Sequence, residues 1–321
     1  MRIGFAPAGA RDAATAVRVA RRAEQHDLAE LWLSEDYLER GAFTVAGGVA
    51  AITERIGIGI GVVNPWTRHV AVTAMECAAL GELAGSRLTI GLGASNRRWM
   101  QDQLGIPFHR PISALLDFGD GLRTLLSGEV LARDVAGTPV SARLSFTPPA
   151  PEPAIVYGVK GEVALRKCAL AGDGIMLSVL SSPAYVSWVR REFQPKRLIA
   201  YALFSCDRDR ATARARITAR TAQFLGVHGP SPITELAGLP AGPAAEFRRR
   251  MLAGEDATGL VTEVMKDVLT VSGTPGDCIA ALSRFADAGL DSIILMDDGV
   301  QDPLHTVDEI AALARGAGYL S

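Results

Sequence analysis

Ile58-Gly59-Ile60-Gly61-Val62-Val63-Asn64-Pro65-Trp66-Thr67-Arg68-His69 is the run in which this chain first offers chemistry. Its first half reads as a buried strand whose glycines let another surface come close. At its end Gly61 permits a bulge, or dihedrals that a residue with a Cβ resists, so the backbone and Val62 can press against something flat. A plain strand-to-helix turn is the competing reading of the same residues. Asn64 adds an amide. His69 adds a titratable ring at a helix start, where it serves either as a proton shuttle or as a structural hydrogen-bonding group.

Other strand ends carry further candidates. Gly91-Leu92-Gly93-Ala94-Ser95-Asn96 gives a backbone path open to a ligand, or a tight turn. It lacks the third glycine and short helix of a dinucleotide fingerprint. In Tyr157-Gly158-Val159-Lys160-Gly161-Glu162, helix-start N–H groups and Lys160 make an anion cradle, while Glu162 alone would merely complement the helix dipole. Glu35 and Asp36, followed by Tyr37, are adjacent acids, so one can face a pocket while the other caps the next segment. Asp297 and Asp298 end the last strand without a third ligand beside them, and no metal site is expected.

These groups need a scaffold that collects strand ends. Short β-rich segments alternate with longer helical ones almost throughout, from the strand at 3–6 to the closing helix at 307–315. Alternation of this kind implies parallel strands with right-handed crossovers, and eight units favour a closed (β/α)8 TIM barrel over an open doubly wound sheet. The expected organisation is one barrel domain over 1–321. It has a loop insertion at about 97–111, an excursion over 134–153, and a helical insertion at about 207–270 after the seventh strand. In a barrel, ligand groups belong at the C-terminal ends of the strands, where all the candidates above fall.

Composition limits the alternatives. The 321 residues are 48% hydrophobic and 21% charged with a net charge of −2, an ordinary globular balance with no basic face for nucleic acid. The arginines between Arg208 and Arg220, and Arg248 to Arg250, read as solvated helix faces. Cys77, Cys168, Cys206 and Cys278 are far apart and read as reduced core residues. With no apolar run near membrane-spanning length, and a strand starting at once after Met1, a cytoplasmic protein is expected.

Taken together, Gly61 to His69, the downstream Thr73-Ala74-Met75, Gly91 to Ala94, Gly273-Thr274-Pro275 and Ala288-Gly289-Leu290-Asp291 resemble the bacterial luciferase-like flavin and deazaflavin enzymes. The similarity is greatest to the branch of coenzyme F420-dependent reductases typified by methylenetetrahydromethanopterin reductase. It implies a non-prolyl cis peptide between Gly61 and Val62 behind the deazaflavin ring, with Asn64 nearby. It also implies that backbone at Ala94 and Ser95 flanks the ring or its side chain, and that Val159, Lys160 and Gly161 hold the phosphate. Glu35 matches an acid that contacts cofactor polar groups. Asp36 stands where many relatives have histidine, and Asn96 where sugar-phosphate-oxidising relatives have glutamate. Arg68, Arg97, Arg98 and Lys160 either meet the phosphate and acidic tail of F420 or are surface charges.

The function implied is F420-dependent hydride transfer to or from a small organic substrate, by a homodimer, with Asp36 and His69 as the candidate proton-handling residues. An FMN-dependent monooxygenase and a non-catalytic deazaflavin-binding protein are the alternatives.

Overall fold

The computed structural model describes every residue except Ala10, Tyr37 and Ser321, so the expectation placed on Tyr37 lies outside the described residues. In chain order the elements are β1 (Arg2–Ala6), α1 (Ala13–Gln25), β2 (Glu30–Leu33), α2 (Ala42–Ala50), β3 (Gly57–Val63), α3 (Val70–Ala84), β4 (Leu88–Leu92) and α4 (Pro111–Leu126). A hairpin, β5 (Leu131–Val135) and β6 (Thr138–Ala142), precedes β7 (Ala154–Gly158), α5 (Glu162–Ala171), β8 (Gly174–Leu177), α6 (Pro183–Phe193) and β9 (Leu198–Cys206). Then come α7 (Arg210–His228), α8 (Pro232–Leu236), α9 (Ala241–Ala253), α10 (Glu263–Leu269), β10 (Val271–Gly273), α11 (Pro275–Asp287), β11 (Ser292–Met296) and α12 (Pro303–Gly316).

The strands β1-β2-β3-β4-β7-β8-β9-β11 pair in parallel in that order, and β11 returns to β1, so the sheet closes into the expected eight-stranded barrel. Period-two alternation builds two apolar compartments. On β9, Ile199, Tyr201 and Leu203 face the barrel interior, while Leu198, Ala200, Ala202 and Phe204 join the layer beneath the helices. Trp32 fills the barrel's centre because Gly59 opposite has no side chain; a Cβ there would sit 2.1 Å from the indole. Glu30 closes the bottom, accepting hydrogen bonds from Trp32 Nε1 (2.9 Å), Arg197 (2.5 Å) and Ser292 (2.9 Å).

Three stretches depart from the sequence expectations. The excursion begins inside a strand, for Asp134 belongs to β5, and the segment holds a two-stranded hairpin. The loop at 97–111 contains a six-residue π-helix, Arg98–Gln103. The insertion at 207–270 holds four α-helices, and it ends in β10, which pairs with the last residues of β9. Among the described residues no helix is long and apolar enough to cross a membrane.

Candidate active site

The C-terminal ends of the barrel strands form a mouth over which α7 passes. At the end of β3 the Gly61–Val62 peptide is cis, and the pairing of β3 with β4 shifts register between Ile60 and Val63. The Val62 side chain lies across the neighbouring strands. Gly93 and Gly158 make that possible, since a Cβ at either would fall 2.5 Å or 2.7 Å from a Val62 methyl. Tyr201, rising from the interior, donates its hydroxyl to the Gly61 carbonyl at 3.4 Å.

The next turn is locked by its own polar groups. Asn64, 1% exposed, accepts from the N–H groups of Trp66 (2.8 Å) and Thr67 (3.0 Å) and donates to Thr67 Oγ1 (2.9 Å). Trp66 Nε1 donates to the Ala94 carbonyl at 3.0 Å, which ties the end of β3 to that of β4. Ser95 follows in a left-handed conformation (φ 61°), and its buried hydroxyl has no partner among the described residues. A buried hydroxyl without a partner is costly.

The two adjacent acids divide the work. Glu35 accepts from Arg68 Nε (2.7 Å) and from the Ala42 N–H at the start of α2 (2.8 Å), while Arg68 also pairs with Glu76 and lies 4.7 Å above the Phe43 ring. Both charges are therefore engaged in holding α2 to α3. The cofactor contact expected of Glu35 and the phosphate contact expected of Arg68 would have to share these groups with the ion pairs. Asp36 is the acid that faces the mouth. Solvent reaches it, yet the protein around its carboxyl removes enough water to raise its pKa, with Glu39 and Glu35 adding to the rise and Arg220 opposing it.

His69 caps α3, its Nδ1 accepting from the Ala71 N–H at 3.2 Å, and it is exposed. That bond engages Nδ1 in capping α3, the structural one of its two expected uses, and leaves Nε2 uncommitted by it. Asp297 and Asp298 are also structural: they accept from Arg11, Ser205 and the N–H groups of residues 299–301. Arg97 pairs with Gln101 and, like Arg98, lies at the surface.

Across the mouth, β7 leads through Val159 and Lys160 to Gly161, which begins α5 with no side chain capping its first N–H groups. Tyr185 holds the Lys160 carbonyl at 2.7 Å, and the Lys160 ammonium lies 3.5 Å from His228 Nδ1. His228, 1% exposed, donates from Nε2 to the Val179 carbonyl (2.7 Å), so Nδ1 is the unprotonated nitrogen facing the lysine. Arg248 covers the carbonyls of Val227 (3.1 Å) and His228 (2.6 Å). Burial lowers the Lys160 pKa, and Arg248 adds to the effect. Burial, Lys160 and Arg248 together bring His228 down to about 3, against the Val179 hydrogen bond.

His228 has a consequence for acid stability. Its folded pKa lies below the ordinary 6.5, so between pH 6.5 and about 3 the unfolded chain binds the extra proton and stability falls as pH falls. Urea denaturation should show about 2 kcal/mol lost between pH 7.5 and pH 5 from this group. A His228→Gln variant should lose less over that interval; an equal loss would remove the assignment.

With the geometry in view, comparison with known proteins decides the family. The family model described as luciferase-like monooxygenase matches residues 2–292. The chain belongs to that family. Over 291 residues it is 27% identical to a 5,10-methylenetetrahydromethanopterin reductase of Methanolobus tindarius, covering 86% of this chain and 87% of the relative. Among solved structures, a coenzyme F420-dependent tetrahydromethanopterin reductase from Methanopyrus kandleri superposes with a TM-score of 0.84 at 19% identity, covering 97% of this chain and 98% of the other. An F420-dependent secondary alcohol dehydrogenase in complex with an F420-acetone adduct gives 0.76 at 15% identity, covering 98% of both chains.

This member of the luciferase-like family also places residues at the mouth that sequence reasoning passed over: Arg220, His228 and Arg248. The signal was present in the spacing of α7, where Arg220, Phe224 and His228 recur every fourth residue and so share one face. Reading the arginines from Arg208 onward as a solvated face hid it. Arg214 is 2% exposed and paired with Glu263 and Asp267, and Arg216 is paired with Asp207.

Proposed function

We propose that this protein is a coenzyme F420-dependent oxidoreductase that moves hydride to or from a small organic substrate at the barrel mouth. The observation that carries the reading is a pair of anchors at the ends of the barrel strands. On one side lie the cis Gly61–Val62 segment and the unpartnered Ser95 hydroxyl; on the other lies the uncapped start of α5 beside Lys160. Two F420-dependent enzymes of known structure share the whole fold.

When bound, F420 supplies hydride transfer at a carbon centre that reacts poorly with oxygen. Residues Val159, Lys160 and Gly161 would receive its phosphate on helix N–H groups and an ammonium. Gly61, Val62, Asn64 and Ala94 would shape the wall behind the ring, with the Ser95 hydroxyl as a free hydrogen-bonding group. Asp36, whose raised pKa favours the protonated form, would hold the proton that accompanies the hydride.

Titrating the protein with F420 and with FMN tests the reading. Tight F420 binding and weak FMN binding are expected, and the reverse order would favour the oxygen-using branch of the family. Binding of F420 without turnover on a broad panel of carbonyl and imine acceptors would instead leave a binding protein.

The reading includes a homodimer in the cytoplasm. Its support is an apolar face of α3 on which Val72, Met75 and Leu83 are each about half exposed. Four free, buried cysteines accord with a reducing compartment. Light scattering should read twice the 33.9 kDa chain mass, and Met75→Glu should reduce it to one; a monomeric parent chain would remove this part.

A further inference from the structure

Arg220 stands at the barrel mouth with no hydrogen bond or ion pair to the other described residues. Its neighbours on α7 are committed: Arg210 and Arg214 pair with Asp267, and Arg216 with Asp207. The Arg220 guanidinium lies instead over the Phe224 ring, 5.9 Å from its centre, with Nη1 3.8 Å from where a Cβ on Gly299 would be. Asp36 is close enough to feel its charge, yet the two form no ion pair. The buried Nε–H has no hydrogen-bond partner among the described residues.

Leaving a buried charged donor unpaired is among the costlier arrangements in a protein, and it persists where something else completes it. A guanidinium beside an aromatic ring offers a planar fork of donors, which suits a carboxylate better than a neutral group or a point charge. Beside it Phe224 packs against the apolar cluster of the barrel interior. A molecule bound there would set an apolar body on Phe224 and an anionic end on Arg220, within the field of Asp36.

We propose that Arg220 is the specificity residue of the mouth and that it receives a carboxylate borne by the hydride-transfer substrate. The proposal rests on the F420 reading above for what happens next to that carboxylate, but the anion site itself is testable apart from it.

Calorimetric titration of the full chain with benzoate and with benzamide, without and with F420, gives the readout. Benzoate should bind at least about tenfold more tightly than the isosteric amide. Arg220→Gln should bring the two within twofold while changing F420 affinity less than threefold. Arg220→Lys, which keeps the charge but not the fork, should give an intermediate preference, and far-UV circular dichroism confirms that each variant is folded.

Equal binding of benzoate and benzamide to the parent chain overturns the proposal. So does a preference that survives Arg220→Gln, or a loss of F420 affinity in that variant greater than its loss for benzoate. If the parent chain fails to bind F420 but keeps the benzoate preference and loses it with Arg220→Gln, the anion site stands and the cofactor reading falls.

Discussion

Asp36→Asn is expected to lower kcat by about 100-fold or more, the usual worth of a positioned proton donor, while F420 affinity stays within threefold. Asparagine keeps the shape and a hydrogen bond but has no proton to give. The pH dependence follows from the direction of the shift. Desolvation raises the Asp36 pKa, so the protonated form persists to higher pH, and kcat in the reductive direction should fall as pH rises through that value. That falling limb should be absent in the variant.

The same shift makes an opposite forecast for stability. A raised folded pKa means the stabilising contribution is complete below the unfolded pKa and is lost as pH rises through the folded one. At pH 7.5 the carboxylate is therefore penalised in the folded chain, and Asp36→Asn should raise Tm there, the gain shrinking as the pH approaches 4. An activity loss paired with a stability gain marks a group retained for function. Unchanged kcat, or a loss accompanied by a lower Tm, would remove Asp36 from the proton-handling role.

How far the sequence revealed all this depends on whether a signal was local. The barrel was legible because each β–α unit announces itself through its own period, and closure follows from their number and hand. The strand end at Gly61 was legible through the family resemblance, because from its spacing alone a plain strand-to-helix turn competed with it. The hairpin was not. Its turn places Ala136 and Gly137 both at positive φ (52° and 88°), with Asp134 accepting from the Gly137 N–H, and alanine is a poor advertisement for that geometry.

Arginines defeated the reading in a different way. On α7 the same residue type is a buried strut at Arg214, half of an ion pair at Arg216 and an unpartnered group at Arg220, and only the tertiary neighbours separate those roles. For Glu35 the competing physics was helix capping: the free N–H at the start of α2 and the Arg68 guanidinium both claim its carboxylate. His69 was likewise claimed by α3.

Lys160→Ala should weaken F420 binding by about 10- to 100-fold, corresponding to the loss of a hydrogen bond to a charged group. The site is arranged to hold the ammonium rather than to neutralise it. Gly161 brings no capping side chain to α5, so its first N–H groups and Lys160 point to the same anion. Tyr185 fixes the Lys160 backbone, and His228, kept neutral by burial and by the positive charges of Lys160 and Arg248, donates from Nε2 to Val179 and offers the ammonium a lone pair without a competing charge. Burial, with nearby Arg248 adding to it, disfavours the charge on the lysine, and a bound anion would offset both. A deazaflavin riboside lacking the phosphate provides the control: parent and variant should bind it alike, because the difference between them is confined to the phosphate. If both ligands lose affinity equally, Lys160 shapes the mouth in some general way and the phosphate belongs elsewhere. If neither does, the start of α5 is not the cofactor's anchor, and the orientation assigned to the ring at Gly61 loses its second fixed point.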